Sequence, residues 1–191
     1  MSLLAHFESR ERSEAPRTIT VGLPVETVPP PTPVLGTSPA GDADGPGLGA
    51  TARAVCRTLL STRTSDGDLR HLEAALEELV VVWTPAVCLR SRSEVVRALA
   101  DADDALGEVV VVFDSSASTG SSVFVEWVAT GRFTGPALLN DDELVEPSGA
   151  VIRVGGAMQL SFQDGQHVSE IHCYYDRLGL TEQLIRGSAG W

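Results

Sequence analysis

The chain has 191 residues, room for one domain or at most two small ones. Its 26 acidic side chains outweigh 14 basic ones, and the formal charge of -12 repels phosphate backbones and anionic lipid surfaces, so neither nucleic acid nor a membrane is expected as a partner. Hydrophobic residues make up 43%, enough for a real core, yet no run approaches the ~20 apolar residues that cross a bilayer; the longest candidate, from Leu79 to Leu89, is broken by Thr84 and Pro85.

Met1 to His6 runs at once into Glu8, Arg10, Glu11 and Arg12, without the basic start and apolar stretch of a secretory leader, so a cytoplasmic location is expected. Residues 1–49 differ from the rest. They hold eight of the 11 prolines, including Pro29-Pro30-Pro31, and Gly41 to Gly49 is nearly all Gly, Asp, Ala and Pro. Proline removes backbone donors and glycine raises the entropy lost on ordering, so this segment reads as a flexible tail.

From Ala50 the pattern turns helical, with Val55 and Leu59 on one face beside Cys56 and Leu60. Thr64 to Asp68 reads as a turn with an N-cap. Leu69, Leu72, Leu76 and Leu79 then mark a second helix, and Val80 to Trp83 a short strand stopped by Thr84-Pro85. Ser91-Arg92-Ser93-Glu94 is a capping box opening a helix from about Arg92 to Ala102. Asp101, Asp103 and Asp104 lie near its end, where carboxylates oppose the helix dipole.

After Gly107 the period falls to two. Val109 to Asp114 is a strand, Ser115 to Ser122 a turn, Val123 to Phe133 a long second strand, and Leu138 to Pro147 carries a short edge piece. Ala150 to Phe162 is a third strand in which Gly155-Gly156 suggests a bulge or a sharp bend. Gln163 to Gln166 carries the Asp-Gly hairpin signal, His167 to Asp176 is the return strand, and Leu178 to Ile185 a short closing helix or turn. Helices first and a meander of long strands after them make an α+β domain over 50–186, with 187–191 as a C-terminal tail. A bent sheet crossed by helices tends to leave a cavity, so a small organic molecule is the expected partner.

Alternation on the return strand puts Val168, Glu170, His172, Tyr174 and Asp176 on one face and Ser169, Ile171, Cys173 and Tyr175 on the other. The first set holds the groups that proton transfer needs; it also fits a solvent face. Glu126 sits among apolar residues, either on the exposed side of the sheet or lining a wet cavity. Trp83 and Trp127 are pocket walls or core. No GxxxxGK[ST], GxGxxG after a strand, HExxH or GxSxG occurs. His6, His71, His167 and His172 have no metal spacing, so no metal is expected; Cys56, Cys88 and Cys173 read as buried thiols, and three cannot all pair in one chain.

The string from Phe162 to Leu184, with Asp164-Gly165, Glu170, Tyr175-Asp176-Arg177-Leu178 and Gln183-Leu184, resembles the ending of SnoaL-like polyketide cyclases. Glu126-Trp127 followed by Gly131-Arg132-Phe133-Thr134-Gly135 is similar to that family's central strand, and Trp83 to Pro85 and Ser91 to Leu99 fit its earlier strand and helix. The resemblance covers about Ala50 to Arg186. It implies a nuclear transport factor 2-like conical barrel, with a curved antiparallel sheet and the N-terminal helices over its concave face, usually dimeric and with a deep pocket. It also implies cofactor-free acid/base chemistry on a polyketide-type substrate, as in secondary-metabolite biosynthesis, with Asp176 at the catalytic position.

The chain departs from the family pattern at Phe133, Gln163, His172 and near Phe162. The expected site therefore has Asp176 as acid/base and His172 or Tyr174 as donor to the substrate oxygen, with Trp83, Glu126, Trp127, Phe133 and Phe162 around the substrate. Two other readings share the fold. One is epoxide opening by Asp176, Glu126 and Arg132 or Arg153. The other is a non-catalytic binding or dimeric assembly module, which a filled or shallow cavity would favour.

Overall fold

A computed structural model describes residues 47–62, 64–100, 105–139 and 143–188. The flexible tail expected over 1–49 lies outside the described residues up to 46, and so do Asp101, Asp103, Asp104 and the last three residues; 47–49 enter the first helix and 187–188 the last.

Helix α1 (Leu48–Leu60) buries Ala52, Val55, Cys56, Leu59 and Leu60, the stripe its spacing predicts. Helix α2 (Asp66–Ala75) opens on Ser65, whose Oγ accepts the Asp68 amide while Asp68 Oδ2 accepts the Ser65 amide. It ends a turn early. Leu76–Trp83 is strand β1, and Leu79, expected on the buried helical stripe, is 80% exposed. Leu76, Val81, Val82 and Trp83 pair with a neighbouring strand, and that tertiary pairing overrides the leucine spacing.

After β2 (Cys88–Leu89), helix α3 (Arg92–Ala100) forms with half the expected capping box: Ser91 Oγ accepts the Glu94 amide, but the Glu94 carboxylate takes the Arg90 amide at 2.7 Å. Strands β3 (Leu106–Thr119) and β4 (Ser122–Phe133) are a long hairpin. The turn expected over Ser115–Ser122 shrinks to the residues around Gly120, whose φ is +59, because Ser115 to Thr119 continue the ladder against β4. Strands β5 (Ala137–Leu139) and β6 (Glu143–Val145) make a separate two-stranded piece. Strands β7 (Val151–Gln163) and β8 (His167–Tyr175) meet at Asp164-Gly165, with φ +53 and +73, the left-handed pair that Asp-Gly favours. Helix α4 (Arg177–Ser188) closes the chain.

Six strands form one curved, unclosed sheet in the order β2-β1-β8-β7-β4-β3. All its pairings are antiparallel except β1 with β8, so the sheet is mixed where an antiparallel one was expected. Beyond Tyr175 strand β8 has ended, and the amide of Gln183 on α4 takes its place beside β7: it accepts from the Arg153 N–H and donates to the Arg153 carbonyl, both at 3.0 Å.

The sheet's two faces are sharply divided. Val123, Val125, Trp127, Ala129 and Phe133 of β4, and Ile152, Val154, Met158, Leu160 and Phe162 of β7, are buried on the core face with the stripe of α1. Gly155-Gly156 makes no bulge, since β7 stays in register with β4 from Ser161 to Val151. A Cβ on Gly156 would overlap Trp127 Cζ2 and the Tyr174 carbonyl, so that glycine makes room for the indole. The bulge lies instead at Ser169, between the pairs Phe162–Val168 and Ser161–Glu170. It turns Val168 into the core, away from the face it was expected to share with Glu170.

Candidate functional site

Pairing partners in a ladder share a face, so the register assigns the chemistry. One row runs Phe113–Trp127–Gly156–Tyr175 across β3, β4, β7 and β8 on the core face. The next runs Ser115–Glu126–Ala157–Tyr174 on the outer face, and a third runs Phe124–Gln159–His172–Trp83. The polar set of the return strand thus faces outward, away from α1.

Tyr174 and Trp83 are exposed there, and His172 is half-buried. Glu170 Oε1 lies 2.9 Å from His172 Nε2, and the imidazole stacks on the Tyr174 ring at 6.1 Å between centroids. Glu126 is exposed and accepts a 2.6 Å hydrogen bond from Ser115 Oγ. Asp114 is the extra residue where β3 slips register beside that pair.

Two of these side chains flank a shallow groove of about 650 Å³, whose lining includes Asp114, Glu126, Gly155, Ala157, Tyr174 and Tyr175. The groove exists because β7 offers only Gly155 and Ala157 to this face between Glu126 and Tyr174. The Cα atoms of those two residues are two strand spacings apart, roughly 10 Å.

The expected site residues therefore divide. Glu126, Trp127 and Tyr174 border the groove, although the Trp127 indole is buried beneath it and its Nε1 has no hydrogen-bond partner among the described residues. His172 and Trp83 lie on the same face beyond it. Phe133 and Phe162, expected as pocket walls, are 0% and 4% exposed in the core, because odd positions of β4 and even positions of β7 face the helices.

Asp176, expected in a water-poor hollow, is exposed at the start of α4, where its Oδ1 accepts the Gly179 amide at 2.9 Å. That is an N-cap, the job an aspartate at a strand-to-helix junction does best. Arg132 is six residues along β4 from Glu126, about 20 Å, and lies 3.4 Å from Glu108. Arg153 is paired with Thr130, four residues along, so the arginine–carboxylate set for epoxide opening does not assemble around Glu126.

Alternation does not single out two residues of the groove: Asp114, expected to end a strand, and Tyr175, which lies on the face opposite Tyr174 as expected yet contributes to the lining. Burial, with the adjacent Cys173 adding to it against a smaller opposing effect of Arg177, raises the Tyr175 phenol well above its ordinary value and keeps it a neutral donor. Burial also pushes the Cys56 thiol up to about 12, and raises Cys173, which faces Cys56, further still. A second hollow of about 520 Å³, lined by Thr62, Thr64, Ser65, Asp66, Leu69, Leu99 and Ala100, has Asp66 as its titratable group among the described residues and adjoins positions outside them.

The family profile of the SnoaL-like polyketide cyclases matches residues 54–184. The chain belongs to that family. No curated protein matches it in sequence. Among solved structures, a protein from Jannaschia sp. CCS1 described as SnoaL-like polyketide cyclase is 20% identical with a TM-score of 0.60, over 75% of this chain and 97% of that one. AclR from Streptomyces galilaeus, described as a hydroxylase, is 16% identical with a TM-score of 0.54, over 72% and 84%. An LEH-like epoxide hydrolase of M. tuberculosis is 17% identical with a TM-score of 0.51, over 74% and 94%. At these identities the neighbours establish a shared fold. Within the SnoaL-like frame, no helix among the described residues is long and apolar enough to cross a membrane.

Proposed function

We propose that this SnoaL-like domain binds a flat, polyketide-type carbonyl compound in the outer-face groove and moves a proton on it without a cofactor. The observation that carries the reading is the placement of Glu126 and Tyr174 on either side of a floor made of Gly155 and Ala157. Glu126, held by Ser115, takes the proton from carbon next to the carbonyl; the Tyr174 hydroxyl, its ring stacked on His172, donates to the carbonyl oxygen as charge develops there. In this reading Asp176 holds the start of α4 and transfers no proton.

The groove is open, and the same face exposes Val110, Val112 and Phe124. A one-sided sheet with that much bare apolar surface fits self-association, and we include a homodimer in the proposal, its second copy roofing the groove and excluding water. Light scattering should give twice the chain mass, and Val112→Glu with Phe124→Lys should halve it.

The binding test uses 1,8-dihydroxyanthraquinone as the probe, titrated against the full chain by quenching of tryptophan fluorescence. Saturable binding weakened at least about tenfold by Glu126→Gln, and left unchanged by Asp176→Asn, supports the reading. Equal affinity in wild type and Glu126→Gln rejects it.

A further inference from the structure

Far from the groove, the β7–β8 hairpin turn meets the start of β1. His167 Nδ1 lies 3.7 Å from Glu77 Oε1 and 3.6 Å from Asp164 Oδ1, and one donor atom from each of the three residues lies within 4.8 Å of the others. These separations exceed hydrogen-bond length but lie within ion-pair reach, so the three groups converge without hydrogen-bonding one another. They are close to what a shared ion imposes: ligand atoms ~2.0–2.1 Å from a tetrahedral zinc are about 3.4 Å apart.

Two parts of the backbone bring the donors together, the Asp164-Gly165 turn and the start of β1. Asp164 and His167 flank the Asp-Gly turn at a spacing of three. Asp164 Oδ1 accepts the Gln166 and His167 amides at 3.3 and 3.4 Å, which fixes the carboxylate against the turn. Glu77 arrives from β1, which carries three extra residues against β8 between the pairs Leu76–Val168 and Val81–Glu170. The side chains of Glu77, His167 and Asp164 are 34%, 42% and 60% exposed, so an ion there would be reachable from solvent.

We propose that Glu77, Asp164 and His167 form a binding site for a divalent first-row transition ion, with zinc the best match to one imidazole nitrogen and two carboxylate oxygens. Solvent water completes the coordination. The bound ion ties the β7–β8 hairpin to β1 and stabilises the folded chain in proportion to its occupancy. This site is independent of the groove and of the chemistry proposed there.

The test takes the untagged full chain, stripped with chelator and titrated with cobalt chloride, followed by zinc sulfate in competition. Expected are saturable visible cobalt bands at one ion per chain, their displacement by zinc, and a zinc-dependent rise in melting temperature. His167→Gln and Glu77→Gln should each weaken binding at least about tenfold. Asp164→Asn keeps a residue that tolerates the left-handed turn and should weaken binding while leaving the metal-free melting temperature near wild type. The proposal is overturned if no saturable cobalt spectrum appears or if the three variants bind as wild type does. Bands with sulfur-to-cobalt charge transfer that vanish in Cys88→Ser would also overturn it, since they would place the ion on a thiol.

Discussion

Glu126 and Asp176 differ in what already occupies their oxygens. Asp176 spends one oxygen on the Gly179 amide, while Glu126 is steadied by a hydroxyl and opens onto the groove. Replacing a capping aspartate by alanine typically costs ~1 kcal/mol, whereas asparagine caps about as well. Asp176→Ala should therefore lower the urea midpoint, and Asp176→Asn should leave it near wild type; equal losses in the two would mean that charge, not capping, matters there.

The three cysteines divide the same way. Buried and held as thiols, Cys56 and Cys173 should react with a thiol reagent at pH 8 only after unfolding, while half-buried Cys88 reacts in the native chain. Rapid labelling of all three in the native chain would contradict the packing of α1 against the sheet.

At the scale of elements, the glycine pair of β7 separates packing from binding. Gly156→Ala forces a Cβ into the Trp127 ring and the Tyr174 carbonyl and should cost about 1–3 kcal/mol in urea unfolding. Gly155→Val meets no such wall, since the nearest atom to its Cβ is the Trp127 carbonyl at 4.0 Å; it should leave stability nearly unchanged and block the groove. A Gly155→Val chain that binds the anthraquinone as wild type does would place the ligand elsewhere.

These glycines also show what the sequence could and could not give. Their presence in a strand marked something unusual, but whether they bulge or make room depends on Trp127, 29 residues away in sequence from Gly156. Local signals were legible where local physics decides: the Ser65 cap, the Asp164-Gly165 hairpin, the α1 stripe and the alternation of β4. The end of α2 was not, because pairing with β8, some 90 residues later, pulls Leu76 into a strand. Of the face expected to carry Val168, Glu170, His172, Tyr174 and Asp176, the middle three lie together, while the slip at Ser169 turns Val168 inward and Asp176 caps α4; alternation alone does not say which side α1 covers. Asp114 is hidden because it is the extra residue of a register slip between β3 and β4, and the convergence of Glu77 with Asp164 and His167 because it depends on the slip between β1 and β8.

For the whole molecule, the buried protons predict a pH dependence. Cys56, Cys173 and Tyr175 have folded-state values raised above the ordinary 9.0 and 10.0, so the unfolded chain releases protons that the native chain keeps. Stability from these groups is complete below about pH 9 and is lost as pH climbs toward the folded values. The urea midpoint should fall between about pH 8.5 and 10.5, and less steeply in Cys173→Ala. A flat profile would mean that these side chains are reached by water.

The account rests on the outer face of the sheet being the one that meets a ligand. The most direct measurement is a crystal structure of the full chain soaked with 1,8-dihydroxyanthraquinone. The predicted result is density over Ala157, between Glu126 and Tyr174. Density between α1 and the core face, or beside Asp176 at the start of α4, would contradict it.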